Sequence, residues 1–83
     1  MSLTQVPESV RDAFYAGRRG PRLPLCINDS VEVVSGEHAG RGGAVISIES
    51  GGNDPTYLVE FGDTGADALL VASVLRLIEE GSA

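Results

Sequence analysis

One histidine, one cysteine and a few closely spaced carboxylates are the groups in this 83-residue chain best suited to catalysis or ligation. His38 sits in "SGEHAGRGGAV", residues 35–45, among four glycines. A lone imidazole in such a loop has no neighbouring nucleophile or second base with which to build a relay. Cys26 lies in the apolar string Leu25-Cys26-Ile27, where a thiol packs as a small hydrophobe. A single cysteine closes no internal disulfide, and no Cys/His spacing in the chain suits zinc. Asp63 and Asp67 bracket "GDTGAD", which lacks the alternating ligands and closing glutamate of a calcium loop and reads as a hairpin turn. The expectation is a protein that is not an enzyme, with no cofactor, no metal and no small-molecule ligand implied.

The glycines themselves raise the question of phosphate binding. Phosphate loops combine glycines with a lysine and a following helix, whereas this stretch contains no lysine and leads into a β-branched run. A structural turn is the better reading, because a loop folding one strand back onto the next needs positive φ, which glycine adopts without steric cost.

Charge divides the chain into two unequal parts. Residues 1–25 carry Arg11, Arg18, Arg19 and Arg22 against Glu8 and Asp12, a balance of +2. Residues 26–83 carry Arg41 and Arg76 against ten carboxylates, a balance of −8. A polyanion is therefore a poor partner for the acidic part, whereas the N-terminal arginines remain candidates for nucleic-acid contact. No apolar run approaches the roughly 20 residues that cross a bilayer, and no basic-then-apolar leader opens the chain, so a soluble cytoplasmic protein is expected.

These residues must be positioned by a short helix and a set of strands. Pro7, Glu8 and Gly17 punctuate a helix over about residues 7–16, with Val6, Val10, Ala13 and Phe14 on one apolar stripe that docks on the chain's own barrel or on another protein. Pro21 and Pro24 predict an extended, stiff connector; together with Arg18 they also fit an arginine-first proline docking pattern. From Asp29 the period switches to alternation. Strands are expected at Val31–Val33, Ala44–Glu49, Thr56–Phe61, Ala68–Val71 and Val74–Ile78, with Tyr57, Val59 and Phe61 facing inward. The domain reading is a helix and proline-containing linker at 1–25, a small β domain at 26–80 and a disordered tail at 81–83.

The string "DSVEVVSGEHAGRGGAVISI", with its alternating valines and Gly36, Gly40, Gly43, Val45 and Ile48, resembles the KOW motif. The likeness continues through "YLVEF" and "SVLRLIE" and so spans about residues 29–79. It implies a mainly β fold, a five-stranded Src-homology-3-like barrel of KOW type preceded by one short N-terminal helix. KOW domains occur in ribosomal proteins and transcription elongation factors, but His38 and Ala39 stand where nucleic-acid-binding members usually carry basic residues. Arg41 is the loop's only cation.

Two functions of different class follow. The first is a protein-interaction or accessory module, contacting another protein through the glycine loop and acidic turns: Gly36, Glu37, His38, Arg41, Asp63 and Asp67. The second is an RNA-associated KOW protein that binds through Arg11, Arg18, Arg19 and Arg22. Four aromatic rings, two of them assigned to the core, are too few for a proline-peptide groove or a methyl-lysine cage.

Overall fold

The structure, a computed structural model, describes residues 6–20 and 23–81. Pro21, Arg22 and the last two residues of the expected tail lie outside the described residues. Helix α1 spans Glu8–Tyr15, and strands β1 to β5 span Ser30–Val33, Gly42–Ser50, Thr56–Phe61, Asp67–Val71 and Leu75–Glu79. A single 3-10 turn, Ala72–Val74, separates β4 from β5.

The helix begins and ends where its punctuation predicts. The Pro7 carbonyl accepts from the Val10 and Arg11 amides at 3.1 and 3.0 Å. At the other end Gly17 has φ +74°, while its own amide donates to Phe14 and the Arg18 amide reaches back to Ala13 at 2.9 Å. That pair of bonds is a Schellman closure, which needs a residue in the left-handed region. The apolar stripe docks on the chain's own sheet: Phe14 and Val6 are buried, with Val10 and Ala13 packed against the core. The Phe14 ring lies nearly parallel to that of Tyr57, with centroids 6.1 Å apart. Burying a phenyl side chain stabilises by roughly 1.5–3 kcal/mol, so α1 contributes substantially to so small a core.

Alternation places the faces of β1 and β3 as expected: Val31, Val33, Tyr57, Val59 and Phe61 are all buried. In β2 the buried residues Val45 and Ile48 stand three apart because the register shifts there, and Leu23, Leu25 and Cys26 complete the core. All pairings are antiparallel, in the order β4-β3-β2-β1-β5. The sheet is open, with β4 and β5 as its edges, so a closed barrel is not formed by strand pairing. Yet these edges are consecutive in the chain. A flat sheet would separate them by four spacings of about 4.8 Å, or about 19 Å, while the four steps from Val71 to Leu75 reach about 14 Å at most. The sheet must therefore coil, and register shifts in β2 between Val45 and Ser47 and between Ile48 and Ser50 supply the bends.

The connector differs from the extended linker that its prolines predict. Gly20 and Leu23 exchange both backbone hydrogen bonds, at 3.1 and 3.0 Å, and so lie side by side, closer than an extended chain would hold them. Leu23 is thereby buried against the core, and this gain in apolar burial outweighs the local preference for an extended path. Beside it lies a clasp with no forewarning in the spacing of residues. Asp29, completely buried, accepts from both terminal nitrogens of Arg19 at 2.7 and 2.9 Å, from the Cys26 amide at 2.8 Å and from the Gly81 amide at 2.9 Å. One carboxylate thus ties the connector, the approach to β1 and the end of β5 together. Burial pushes its pKa up, but the Arg19 hydrogen bonds and the two amides prevail and hold it below the ordinary carboxylate value. The bond to Asp29 likewise raises the pKa of Arg19.

Candidate functional site

The glycine stretch forms the loop between β1 and β2. Gly36 and Gly40 have φ of +88° and +90°, the left-handed conformation that lets the chain reverse. The Gly40 amide donates to Val33 at 2.7 Å and the Val33 amide to Arg41 at 2.9 Å, which close the loop base. Gly43 is present for a different reason. Its backbone runs so close to β3 that a Cβ would stand 2.4 Å from the Glu60 carbonyl oxygen and 2.9 Å from Val59 Cγ1.

Arg41 folds inward from the loop rather than projecting into solvent. Its guanidinium lies 3.9 Å over the ring of Phe61, donates to Asp63 at 3.0 Å and to Thr64 at 3.2 Å, and faces His38 Nδ1 at 3.3 Å. A guanidinium offers only donors, so a hydrogen bond between the two has His38 Nδ1 as its acceptor. His38 is thus not the freely exposed loop histidine that its position suggests. Its ring is tilted against Phe61 with centroids 5.1 Å apart. The bond from Arg41 holds the Asp63 carboxyl below its ordinary range. His38, Arg41 and Asp63 therefore form one cluster, with Phe61 and Thr64 as members that residue type alone did not mark.

The remaining candidates lie around this cluster. Glu37 is exposed, 3.8 Å from His38 Nε2. Gly36, Glu37 and His38 line one wall of a slot of about 320 Å³ whose other wall is Leu69–Val71, with Val74 beside them. Asp67 stands at the start of β4 directly opposite Glu60 of β3. Among the described residues neither of these carboxylates has an ion-pair partner. Two like charges directly across a strand pair destabilise it, and a cation held between them would remove that cost.

Of the N-terminal arginines, Arg11 and Arg18 are exposed, Arg19 is committed to Asp29, and Arg22 lies outside the described residues. A second groove, of about 590 Å³, crosses the outer face of β1, β2 and β5. Its floor is small, Ser30, Gly42 and Ala44, and its rim carries Glu60, Ile78 and the ion pair between Arg76 and Glu32. The thiol of Cys26 is buried, and that burial pushes its pKa up, which makes it a poor nucleophile. Among the described residues no three His, Cys, Asp or Glu side chains gather as a ligand set for a metal ion. No helix among them is long and apolar enough to cross a membrane.

The chain matches no protein-family model, and no curated protein and no solved structure is similar to it.

Proposed function

We propose that this chain is a non-enzymatic protein-interaction or accessory module, built on a small Src-homology-3-like barrel of KOW type, whose partner is a protein presenting a basic segment. One observation carries the reading. From residue 26 onward both arginines are consumed internally, Arg41 by Asp63 and Arg76 by Glu32, while Glu37, Glu60 and Asp67 face solvent without an arginine partner among the described residues. A surface of this kind repels phosphate backbones and favours cationic side chains. The coiling of the sheet and the meander of neighbouring strands support the barrel assignment, as does the glycine pattern of the β1–β2 loop.

The RNA reading loses ground on Arg19. Its guanidinium serves a buried carboxylate, which leaves three candidate arginines and hence weak, strongly salt-dependent phosphate binding. The two readings separate in one pair of measurements. The intact chain used as bait in affinity capture should retain a protein partner in stoichiometric amount, and retention should fall with added salt and with the Glu60→Gln/Asp67→Asn variant. A clean bait would overturn the proposal. Amide shifts at Arg11 and Arg18 on adding short RNA, persisting at moderate salt, would favour the RNA reading instead.

A further inference from the structure

We infer that the outer edge of β4 is a strand-addition site, which takes a short extended segment of the partner with basic and aliphatic residues alternating along one face, at every second position. The inference rests on the proposed interaction role and names the place where it occurs. β4 is an edge of the sheet, paired on one side to β3 in regular register over all five residues with no bulge. Among the described residues no backbone or side-chain group hydrogen-bonds to the other side of Asp67–Val71. Edge strands left in this state present a row of unpaired amides and carbonyls, and natural proteins usually guard them with bulges, prolines or several charges. β4 has one charge, at Asp67, and neither proline nor bulge.

A slot of about 320 Å³ lies beside β4 and is lined there by Leu69, Leu70 and Val71. Its far wall is the loop Ser35–His38, and a bond from the Val34 amide to the Val74 carbonyl at 2.8 Å links the far side to the 3-10 turn.

Charge selects the occupant. Glu37 stands on the loop wall, and Asp67 with Glu60 lies at the start of the strand. Leu69, more than half exposed at 56 %, offers the apolar contact between them. An added strand would satisfy the free backbone groups of β4, place an aliphatic side chain on Leu69 and set cationic side chains near the carboxylates. Backbone hydrogen bonds supply affinity in this mode, and alternate side chains supply specificity.

The test uses the full chain, isotope-labelled, with an eight-residue capped peptide in which arginine and valine take turns at every second position and threonine fills the positions between, so that both lie on one face. The same peptide with glutamate for arginine, and its backbone N-methylated form, serve as controls. Amide shifts should fall on residues 35–38 and 67–74, and alternate β4 amides should gain protection from hydrogen exchange. Both controls should fail to bind. Glu37→Gln/Asp67→Asn should weaken the probe at least fivefold, as should Leu69→Asn, while each variant keeps the amide spectrum of a folded chain. No shifts at millimolar peptide, equal binding of the acidic or N-methylated control, or shifts on Ser30, Glu32 and Gly42 instead would overturn the assignment. So would concentration-dependent protection of β4 without peptide, since a second copy of the chain would then be the occupant. If affinity capture retains a protein partner while these probes fail, the site is wrong and the interaction role stands.

Discussion

Replacing Asp29 by asparagine tests the one buried charge on which three segments converge. The carboxylate accepts four hydrogen bonds, two from Arg19 and one each from the Cys26 and Gly81 amides. Asparagine keeps one acceptor oxygen but turns an NH₂ group toward donors, so at least one amide or the guanidinium loses its partner. Breaking one member of a buried ion pair costs about 3–5 kcal/mol. Because the Arg19 side chain is 25 % exposed, water can serve it in part, and the low end, about 3 kcal/mol, is expected. A domain of this length has about 4–12 kcal/mol in hand, so the variant still folds. Urea denaturation at pH 7 should show the loss. Arg19→Met should cost a comparable amount, and the double variant should fall short of the sum by about 1 kcal/mol or more. The pH dependence has a definite sign. The folded pKa of Asp29 lies below its ordinary value of 3.8, so its stabilisation is complete above the unfolded pKa and fades as pH falls through the folded one. The advantage of the native chain over Asp29→Asn should therefore hold at pH 7 and shrink below about pH 4. A loss under 1 kcal/mol, strict additivity with Arg19→Met, or an advantage unchanged at pH 2 would refute the clasp.

Three further substitutions probe the core and its turns by the same denaturation assay. Gly43→Ala should cost about 1–3 kcal/mol because its new methyl group meets the Glu60 carbonyl oxygen at 2.4 Å; a neutral result would show that β2 and β3 can separate freely. Tyr57→Phe should leave stability unchanged or raise it by up to about 1 kcal/mol, since the buried hydroxyl has no hydrogen-bond partner of good geometry among the described residues. Desolvation pushes that phenol up to about 12, partly opposed by the Leu25 amide, and a clear loss on Tyr57→Phe would mean that this amide is a true donor to it. Val59→Ala should cost about 2–4 kcal/mol, and a change below about 0.5 kcal/mol would place Val59 on the wrong face of β3.

Strand faces were legible because alternation is a local property. Val31, Val33, Tyr57, Val59 and Phe61 could be assigned inward from neighbours two residues away, and all are buried. The same holds for the helix, whose proline, glycine and apolar stripe are contained in about a dozen residues. What escaped was set by convergence of distant segments. Asp29 looks like any polar residue opening a strand, and its burial depends on Arg19 ten residues before it and Gly81 fifty-two residues after it. Arg41 looked like a loop cation because its ring partner, Phe61, is twenty positions away and was assigned only to the core. The connector follows the same rule: its prolines report local backbone preference, but the burial of Leu23 depends on the sheet beneath it. Asp63 and Asp67, read together from one turn, part company in the structure, one bonded to Arg41 and the other facing Glu60 across the strands.

The use of the arginines links the fold to the proposed role. Each of Arg19, Arg41 and Arg76 joins segments that the chain separates by 10, 22 and 44 residues. The last two pairs are largely exposed, and such pairs contribute little to stability individually. Their greater consequence is electrostatic: they remove the cations that would otherwise offset Glu37, Glu60 and Asp67. The coiled sheet then brings the β1–β2 loop alongside β4, which sets the unneutralised carboxylates around a strand edge whose backbone is unpaired. A basic extended segment would satisfy both deficits in one event, hydrogen bonds along the edge and charge at its ends. Neither an isolated cation nor a neutral strand can do both, and this is the physical reason to expect that partner rather than a phosphate backbone.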